Sequence, residues 1–364
     1  MVNFKPTEEQ ELVRETMAGF AKEVLRPQSR EADEADAVPE AVIQRGWELG
    51  LVQSAIPEKF GGYGDARSAV TSTLMLEELA YGDLSLALHL LTPRLFTVPL
   101  LVAGSEAQQA EWLPKFTGDR FTAATAAFVE PRWDFDAAAM ATRAEPKGGD
   151  WVLSGTKCLV PLAKQAVGIL VYARDARDRL AAFLVDPKTK GVAIGDRERN
   201  MGIRALDTFR VTLEDVRVPA AARLGGEDAD LQPLVDASRV AVAALATGVA
   251  KASFEYARDY AKERRAFGVA IAQKQAIAFK LANMAIEIDA MRLLTWEAAW
   301  RLDAGKPATR EAYLARQYAG NSALDVTDNG VQILGGHGYI RDHYVELWLR
   351  NARGFTTFDG LAIV

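Results

Sequence analysis

Gln332-Ile333-Leu334-Gly335-Gly336-His337-Gly338-Tyr339 ends a long helical pattern, Thr309 to Leu334, with a cluster of glycines. Glycine carries no Cβ, so such a segment can stop a helix in a tight turn or bring backbone against a bound molecule. Upstream stands Arg264-Arg265-Ala266-Phe267-Gly268, followed by Gln275. An arginine fork can hold a pyrophosphate by two parallel charge-assisted bonds, although Arg264 taken alone reads more readily as a solvated charge. Together the two segments read as a cradle for a dinucleotide.

Working outward, Leu234 to Tyr260 and Gln273 to Ala304 carry helical patterns with few breakers, so residues 232–364 predict a helix bundle. Trp296, Trp300 and Trp348 fall at helical positions and are expected in its core. Before the bundle the texture is β-rich: Phe121 to Phe128, Trp151 to Leu153, Val167 to Tyr172, Leu180 to Val185 and Phe209 to Leu213 are short and bounded by Gly, Pro or Asp. Residues 121–231 therefore predict a middle antiparallel β domain. At the N-terminus, Thr7-Glu8-Glu9-Gln10 forms a capping box ahead of Val13, Met17, Phe20 and Val24 on one helical face. Ala41 to Leu49 and Ser68 to Tyr81 repeat that style around the breaker-rich Pro57 to Gly64, making 1–120 a helical domain. The charged run Arg30 to Asp36, just after Pro27, reads as a solvated linker. The whole is mostly α with a central β domain, without the strand-helix alternation of a doubly wound nucleotide fold.

Composition narrows the function. A chain of 364 residues with 43 basic and 49 acidic side chains, net charge -6, has no electrostatic footprint for nucleic acid or anionic lipid. The one cysteine, Cys158, lies in a strand-like run and reads as a small core residue rather than a reactive thiol. His89, His337 and His343 have no metal-ligand spacing, so no metal site is expected. Met1 to Arg14 shows no apolar leader, no run of about 18 apolar residues follows, and a cytoplasmic location is expected.

The Arg264–Gln275 and Gln332–Tyr339 segments resemble the signatures of the acyl-CoA dehydrogenase family. Met201-Gly202-Ile203-Arg204-Ala205 with Val216-Arg217-Val218-Pro219 is similar to the family's exit from its middle barrel, and Pro57 to Gly64 resembles its Pro-x-x-x-Gly-Gly turn. The likeness spans nearly the whole chain in order. It implies an N-terminal helical domain, a middle antiparallel β-barrel and a C-terminal four-helix bundle, with FAD between barrel and bundle. It also implies that Arg264, Phe267, Gln275, Gln332, Gly335 and Gly336 bind the FAD of a neighbouring subunit. The substrate class is an acyl-CoA thioester, desaturated at α,β by a carboxylate base and hydride transfer to flavin, with an electron-transferring flavoprotein as a possible acceptor. Arg239 lies where the family often places a residue facing the acyl-CoA cleft, and a surface ion pair is the plainer alternative.

Other positions depart from the family. Its Thr-Glu-Pro-x-Ala-Gly-Ser-Asp stretch reads Val129-Glu130-Pro131-Arg132-Trp133-Asp134-Phe135-Asp136, and its Lys-x-Trp-Ile-Thr/Ser stretch reads Lys157-Cys158-Leu159-Val160-Pro161. Leu159 and Pro161 cannot donate to a flavin. Where the family has Tyr-Glu-Gly-Thr-x-Gln, this chain has Phe358-Asp359-Gly360-Leu361-Ala362-Ile363, leaving Asp359 as the aligned base, about 1 Å shorter than a glutamate. Groups offered to a neighbour survive while groups facing the chain's own flavin have drifted. Three readings follow: a subunit of a hetero-oligomer completing a related partner's FAD site; a self-sufficient dehydrogenase with Asp359 as base; and a flavin-free scaffold or thioester-binding homologue. In the last, Trp133 and Phe135 either fill the emptied flavin volume or simply pack in the core.

Overall fold

The computed structural model describes residues 5–364, so the first four residues of the stretch Met1 to Arg14 lie outside it. Helix α1, Glu8–Phe20, opens on the expected capping box: Gln10 N donates to the Thr7 hydroxyl at 3.2 Å and Thr7 N to Gln10 Oε1 at 3.0 Å. One π-helical turn, Ala21–Leu25, leads into α2, Arg26–Ala35. The charged run Arg30 to Asp36 is thus a helix and not a linker. Its charges meet partners far along the chain: Asp33, 4% exposed, takes Arg350 in a bidentate pair at 2.9 and 2.7 Å, Arg30 pairs with Glu346, and Asp36 meets Arg204 at 2.8 Å. Helices α3 (Glu40–Glu48), α4 (Ala69–Gly82), α5 (Leu84–Leu91), α6 (Arg94–Ala103) and α7 (Glu106–Trp112) complete the first helical block.

The central sheet contains β1 (Thr125–Ala127), β2 (Arg143–Lys147), β3 (Asp150–Pro161), β4 (Ile169–Asp175), β5 (Leu180–Val185), β6 (Val192–Arg197) and β7 (Thr208–Pro219). Their order is β1-β4-β2-β3-β7-β6, with β5 on β4. The hairpin pairings are antiparallel, as expected, but β1 and β2 both run parallel to β4. The long excursion between β1 and β2 returns the chain to the other side of β4 in the same direction, which a hairpin cannot do. Side chains such as Leu153, Val171, Phe183 and Val211 alternate into a second, smaller core.

The last block is the bundle: α8 (Gln232–Glu263), α9 (Gln275–Asp303), α10 (Thr309–Leu334) and the short α12 (Val345–Ala352), with a two-strand ladder, β8 (Arg265–Ala266) and β9 (Val269–Ala270), and a single turn, α11 (Gly336–Tyr339), at one end. α8 is long and apolar enough to cross a membrane, yet nearly all of that stretch is buried. It is apolar all round because α4, α9, α10 and α12 surround it. Trp348 is buried, Arg26 lying 4.6 Å over its ring. Trp296 is only half-buried, and Trp300 is 49% exposed, contrary to expectation. Trp300 lies on the outer face of α9 in a seven-residue series with Phe279, Ile286 and Leu293, all exposed.

Asp83 caps α5 by accepting from Leu86 N at 2.9 Å and is 2% exposed. Burial raises its carboxyl from 3.8 to about 7, against that amide bond and nearby Arg26. The native state therefore favours the protonated form, and stability from this group is full below the unfolded value and is lost as pH climbs toward 7. Asp83→Asn keeps a capping acceptor and removes the charge. In urea unfolding it is expected to exceed the parent chain's stability at pH 8 by on the order of a few kcal/mol, with a smaller gain at pH 5.

Candidate functional site

The end of β3 begins the site. Lys157, fully buried, directs its ammonium to Phe128 O at 3.0 Å and Glu130 Oε1 at 3.1 Å. Glu130 also accepts from Ala141 N and Thr142 N, both at 2.7 Å, and from the Thr142 hydroxyl at 2.6 Å. Burial alone would raise the Glu130 carboxyl, but the Lys157 charge and these donors hold it below the usual range. Burial in turn lowers the Lys157 ammonium to about 8 despite Glu130. The β1–β2 excursion is thereby fastened to β3 and forms one wall of a cavity of about 530 Å³. The start of α8, the face of α10 bearing Tyr313 and Arg316, and the turn Thr356 to Asp359 form the rest.

Asp359 and Arg239 both line this cavity. Asp359 is positioned by Gly360, whose φ of +66° and contact with Phe128, 2.5 Å from where a Cβ would stand, exclude other residues. Burial raises the Asp359 carboxyl, opposed by Arg316 and then Arg239. Arg316 Nε donates to Asp359 Oδ1 at 3.1 Å, and its terminal nitrogens reach Gln317 Oε1 at 2.7 Å, Thr356 O at 3.3 Å and Phe358 O at 3.4 Å. The carboxylate aligned with a general base is therefore held by a guanidinium that also clasps its turn. Sequence reading missed Arg316. The available signal was a charge set among Ala312, Ala315 and Ala319 on the buried face of α10.

The sheet-side wall of the cavity lacks free donors to hold a flavin. Val129 and Leu159 bring no side-chain donor, Cys158 N is taken by Val129 O, and Leu159 N by Glu198 Oε2, both at 2.9 Å. Pro161 is buried beyond the lining. Trp133 does not fill the volume: it stands on the rim, 98% exposed, between Arg132 and Asp134, which pair at 3.0 Å. Phe135 is half-buried and packs edge-on against Phe128 at 5.8 Å. Cys158 faces the cavity, but burial pushes its thiol up to about 11, which leaves no thiolate at neutral pH.

Arg264, Phe267, Gln275, Gln332, Gly335 and Gly336 lie outside this cavity, all exposed. Arg264 ends α8, Phe267 turns the β8–β9 ladder at a φ of +52° with its ring 94% exposed, and Gln275 begins α9. Gln332 lies in the last turn of α10, Gly335 caps it and Gly336 opens α11, and the Tyr260 hydroxyl to His337 Nδ1 contact at 2.8 Å ties that segment to α8. A Cβ on Gly335 or Gly336 would meet nothing within 4 Å, so the backbone stands open to an incoming group. Arg264 has no side-chain partner among the described residues. An exposed guanidinium without a side-chain partner, at the bundle end that also carries open glycine backbone, fits a pyrophosphate.

Comparison with known proteins places these features. The chain matches the models "Acyl-CoA dehydrogenase, N-terminal domain" over residues 7–119, "middle domain" over 125–216 and "C-terminal domain" over 230–362. It is 35% identical to the mitochondrial short-chain specific acyl-CoA dehydrogenase of Bos taurus, over 97% of this chain and 87% of that protein. Butyryl-CoA dehydrogenase from Megasphaera elsdenii superposes with a TM-score of 0.88 at 30% identity, covering 100% of this chain and 96% of that one. A glutaryl-CoA dehydrogenase from Mycobacterium smegmatis in complex with FADH2 superposes with a TM-score of 0.85 at 25% identity, covering 98% and 92%.

Because Arg316 opposes the effect of burial on Asp359, Arg316→Met is expected to raise the protonation midpoint of that carboxyl, followed by its carbon-13 shift against pH. An unchanged midpoint would refute the assigned ion pair.

Proposed function

The chain belongs to the acyl-CoA dehydrogenase family of FAD-dependent oxidoreductases, and on that premise we propose that it serves as one subunit of a cytoplasmic hetero-oligomer, completing the FAD site of a related acyl-CoA dehydrogenase subunit. The observation that carries this reading is the division of its donors. Those that Val129, Cys158 and Leu159 could turn to its own cavity are absent or already bonded, while the Arg264 guanidinium is exposed without a side-chain partner among the described residues and the Gly335–Gly336 backbone is sterically open. When bound, FAD supplies the hydride acceptor for α,β-desaturation of an acyl-CoA thioester. This chain's part is to neutralise pyrophosphate charge through Arg264, to shield the ring system with Phe267, and to offer side-chain amides at Gln275 and Gln332.

The outer face of α9 supports the proposed partner. Phe279, Ile286, Leu293 and Trp300 form an exposed apolar series along a helix that begins at Gln275. A series of that length without cover suits burial against another subunit. Its neighbouring charges are satisfied within the chain: Asp289 pairs with Arg292, Glu297 with Arg301, and Glu287 accepts from Tyr318 and Ser322. Electrons would leave through the partner's flavin, with an electron-transferring flavoprotein as acceptor.

One observation favours a second reading, a self-sufficient dehydrogenase. Asp359 lies in the cavity with its carboxyl raised by burial, in the direction a general base requires. The Arg316 pair opposes that role.

Purified alone, the chain is expected to be colourless, and co-expressed with its mate it should give yellow protein. Within that complex Arg264→Gln should weaken FAD retention roughly tenfold or more, while Asp359→Asn leaves turnover unchanged. Stoichiometric flavin on the isolated chain, with turnover lost in Asp359→Asn, would establish the self-sufficient reading instead.

A further inference from the structure

His337 and His343 stand at the glycine end of the bundle, far from the cavity chemistry in role, and they meet each other. Their rings lie face to face, with centroids 5.5 Å apart and planes 14° from parallel. α8 fixes both in the same way: the Tyr260 hydroxyl meets His337 Nδ1 at 2.8 Å and the Tyr256 hydroxyl meets His343 Nδ1 at 2.7 Å. Tyr260 also stands edge-on to both imidazoles, at 6.0 and 5.9 Å. The stack therefore joins α8, the turn α11 that carries His337, and the lead into α12 that carries His343.

The two sides are held unequally. His343 is a fixed post: its carbonyl accepts from Arg30 at 3.0 Å, and Tyr256, which holds its ring, packs on Trp348 at 5.7 Å. His337 is exposed and follows Gly335, whose φ of +59° makes a joint at the end of α10. Its ring is held by Tyr260 and by the opposite imidazole.

The surrounding charges leave the pair without a counter-ion. On α8, Glu255 accepts from the Tyr81 hydroxyl, Asp259 pairs with Arg258, and Glu263 and Arg264 lie exposed beyond Tyr260. From α2, Arg30 pairs with Glu346 of α12, and Arg26 lies over the Trp348 ring. Arg341 and Asp342, between the two histidines, are exposed, and residues 331–334 of α10 carry no charge. Neither imidazole has a carboxylate partner among the described residues. One positive ring is tolerable, since a cation over a neutral aromatic face is attracted to it. Two repel across the stack, and Arg26 and Arg30 add to the same field. A charged ring also carries hydrogen on both nitrogens, so its tyrosine hydroxyl can only accept and must turn its own hydrogen away.

We propose that the His337–His343 stack is a proton-operated latch on α11. With at most one ring charged it holds the turn against α8, and with both charged the stack opens about Gly335. The latch is closed at higher pH and opens as pH falls through the range in which histidines charge. Opening changes the spacing between the Gly335–Gly336 backbone and Arg264, whose amide donates to Tyr260 O at 2.8 Å. That consequence for FAD retention rests on the partner-subunit reading, whereas the latch itself does not.

Hydrogen exchange of the full chain at about pH 7.5 and about pH 5.5, each rate divided by its intrinsic value, tests the latch without a partner. Amides of residues 335–343 are expected to lose roughly tenfold of their protection at the lower pH. His89, the third histidine, does not supply that response, because burial lowers its imidazole to about 4. Asp83 acts in the opposite sense, stabilising the fold as pH falls. His337→Gln and His343→Gln, which keep a side-chain amide for the tyrosine, should each abolish the pH response. Equal protection of the parent segment at both pH values, a response that survives either glutamine variant, or a loss shared by α8 and the sheet would each overturn the proposal. A colourless chain without the response refutes the latch alone, whereas a flavin-bearing isolated chain that shows it refutes the partner-subunit reading alone.

Discussion

One buried ammonium determines where everything near the cavity can be. Lys157 sits in the sheet core with no access to water, and the carboxylate that compensates it, Glu130, lies on the excursion between β1 and β2. Neither charge is tolerable there alone, because the cost of an uncompensated buried ion exceeds the gain from most packing interactions. The excursion must therefore close onto β3, and Glu130 uses its remaining lone pairs to fix the backbone of Ala141 and Thr142. The wall made by Val129, Leu159 and Phe135 inherits its position from that closure.

The cavity and the exposed cradle are products of two different kinds of order. The cavity is made by contacts across domains, where α8, α10 and the turn at Asp359 converge on the sheet. The cradle is made at one end of the bundle, where α8 and α10 end and α9 begins and where the glycine backbone is sterically open. Drift on one side need not disturb the other, so a chain can lose the donors facing its own interior and keep those facing outward. The Arg316–Asp359 pair illustrates the first: a cation on a buried helix face converts an acidic group at a reactive position into an anchor for its own turn.

Much of the architecture was legible in the sequence, because the signals were local. The Thr7 capping box, the long apolar periodicity of the bundle and the short β-rich runs each report on residues a few positions apart. What failed was long-range. The Arg30 to Asp36 run is solvated by composition, but Arg350 and Glu346 near the end of the chain and Arg204 in its middle complete its charges. Trp300 fits a core by periodicity, yet it lies on a face of α9 that leaves it 49% exposed. Trp133 suits a filled volume by size alone, yet its ring stands in solvent at the rim. The candidate residues at the glycine segment and at Asp359 were found by motif, whereas the Arg316–Asp359 pair depends on a distance that no motif encodes.

The exposed series on α9 carries a geometric demand of its own. Phe279, Ile286, Leu293 and Trp300 recur every seven residues, while an undistorted α-helix completes two turns in slightly more than seven. Each step therefore displaces the stripe by about 20°, so that from Phe279 to Trp300 it winds through roughly 60° around the helix axis. A straight rod laid along α9 would lose contact before reaching Trp300. Whatever follows the stripe from end to end must bend around α9 in a left-handed sense, so the handedness of that association is already written on this chain's surface.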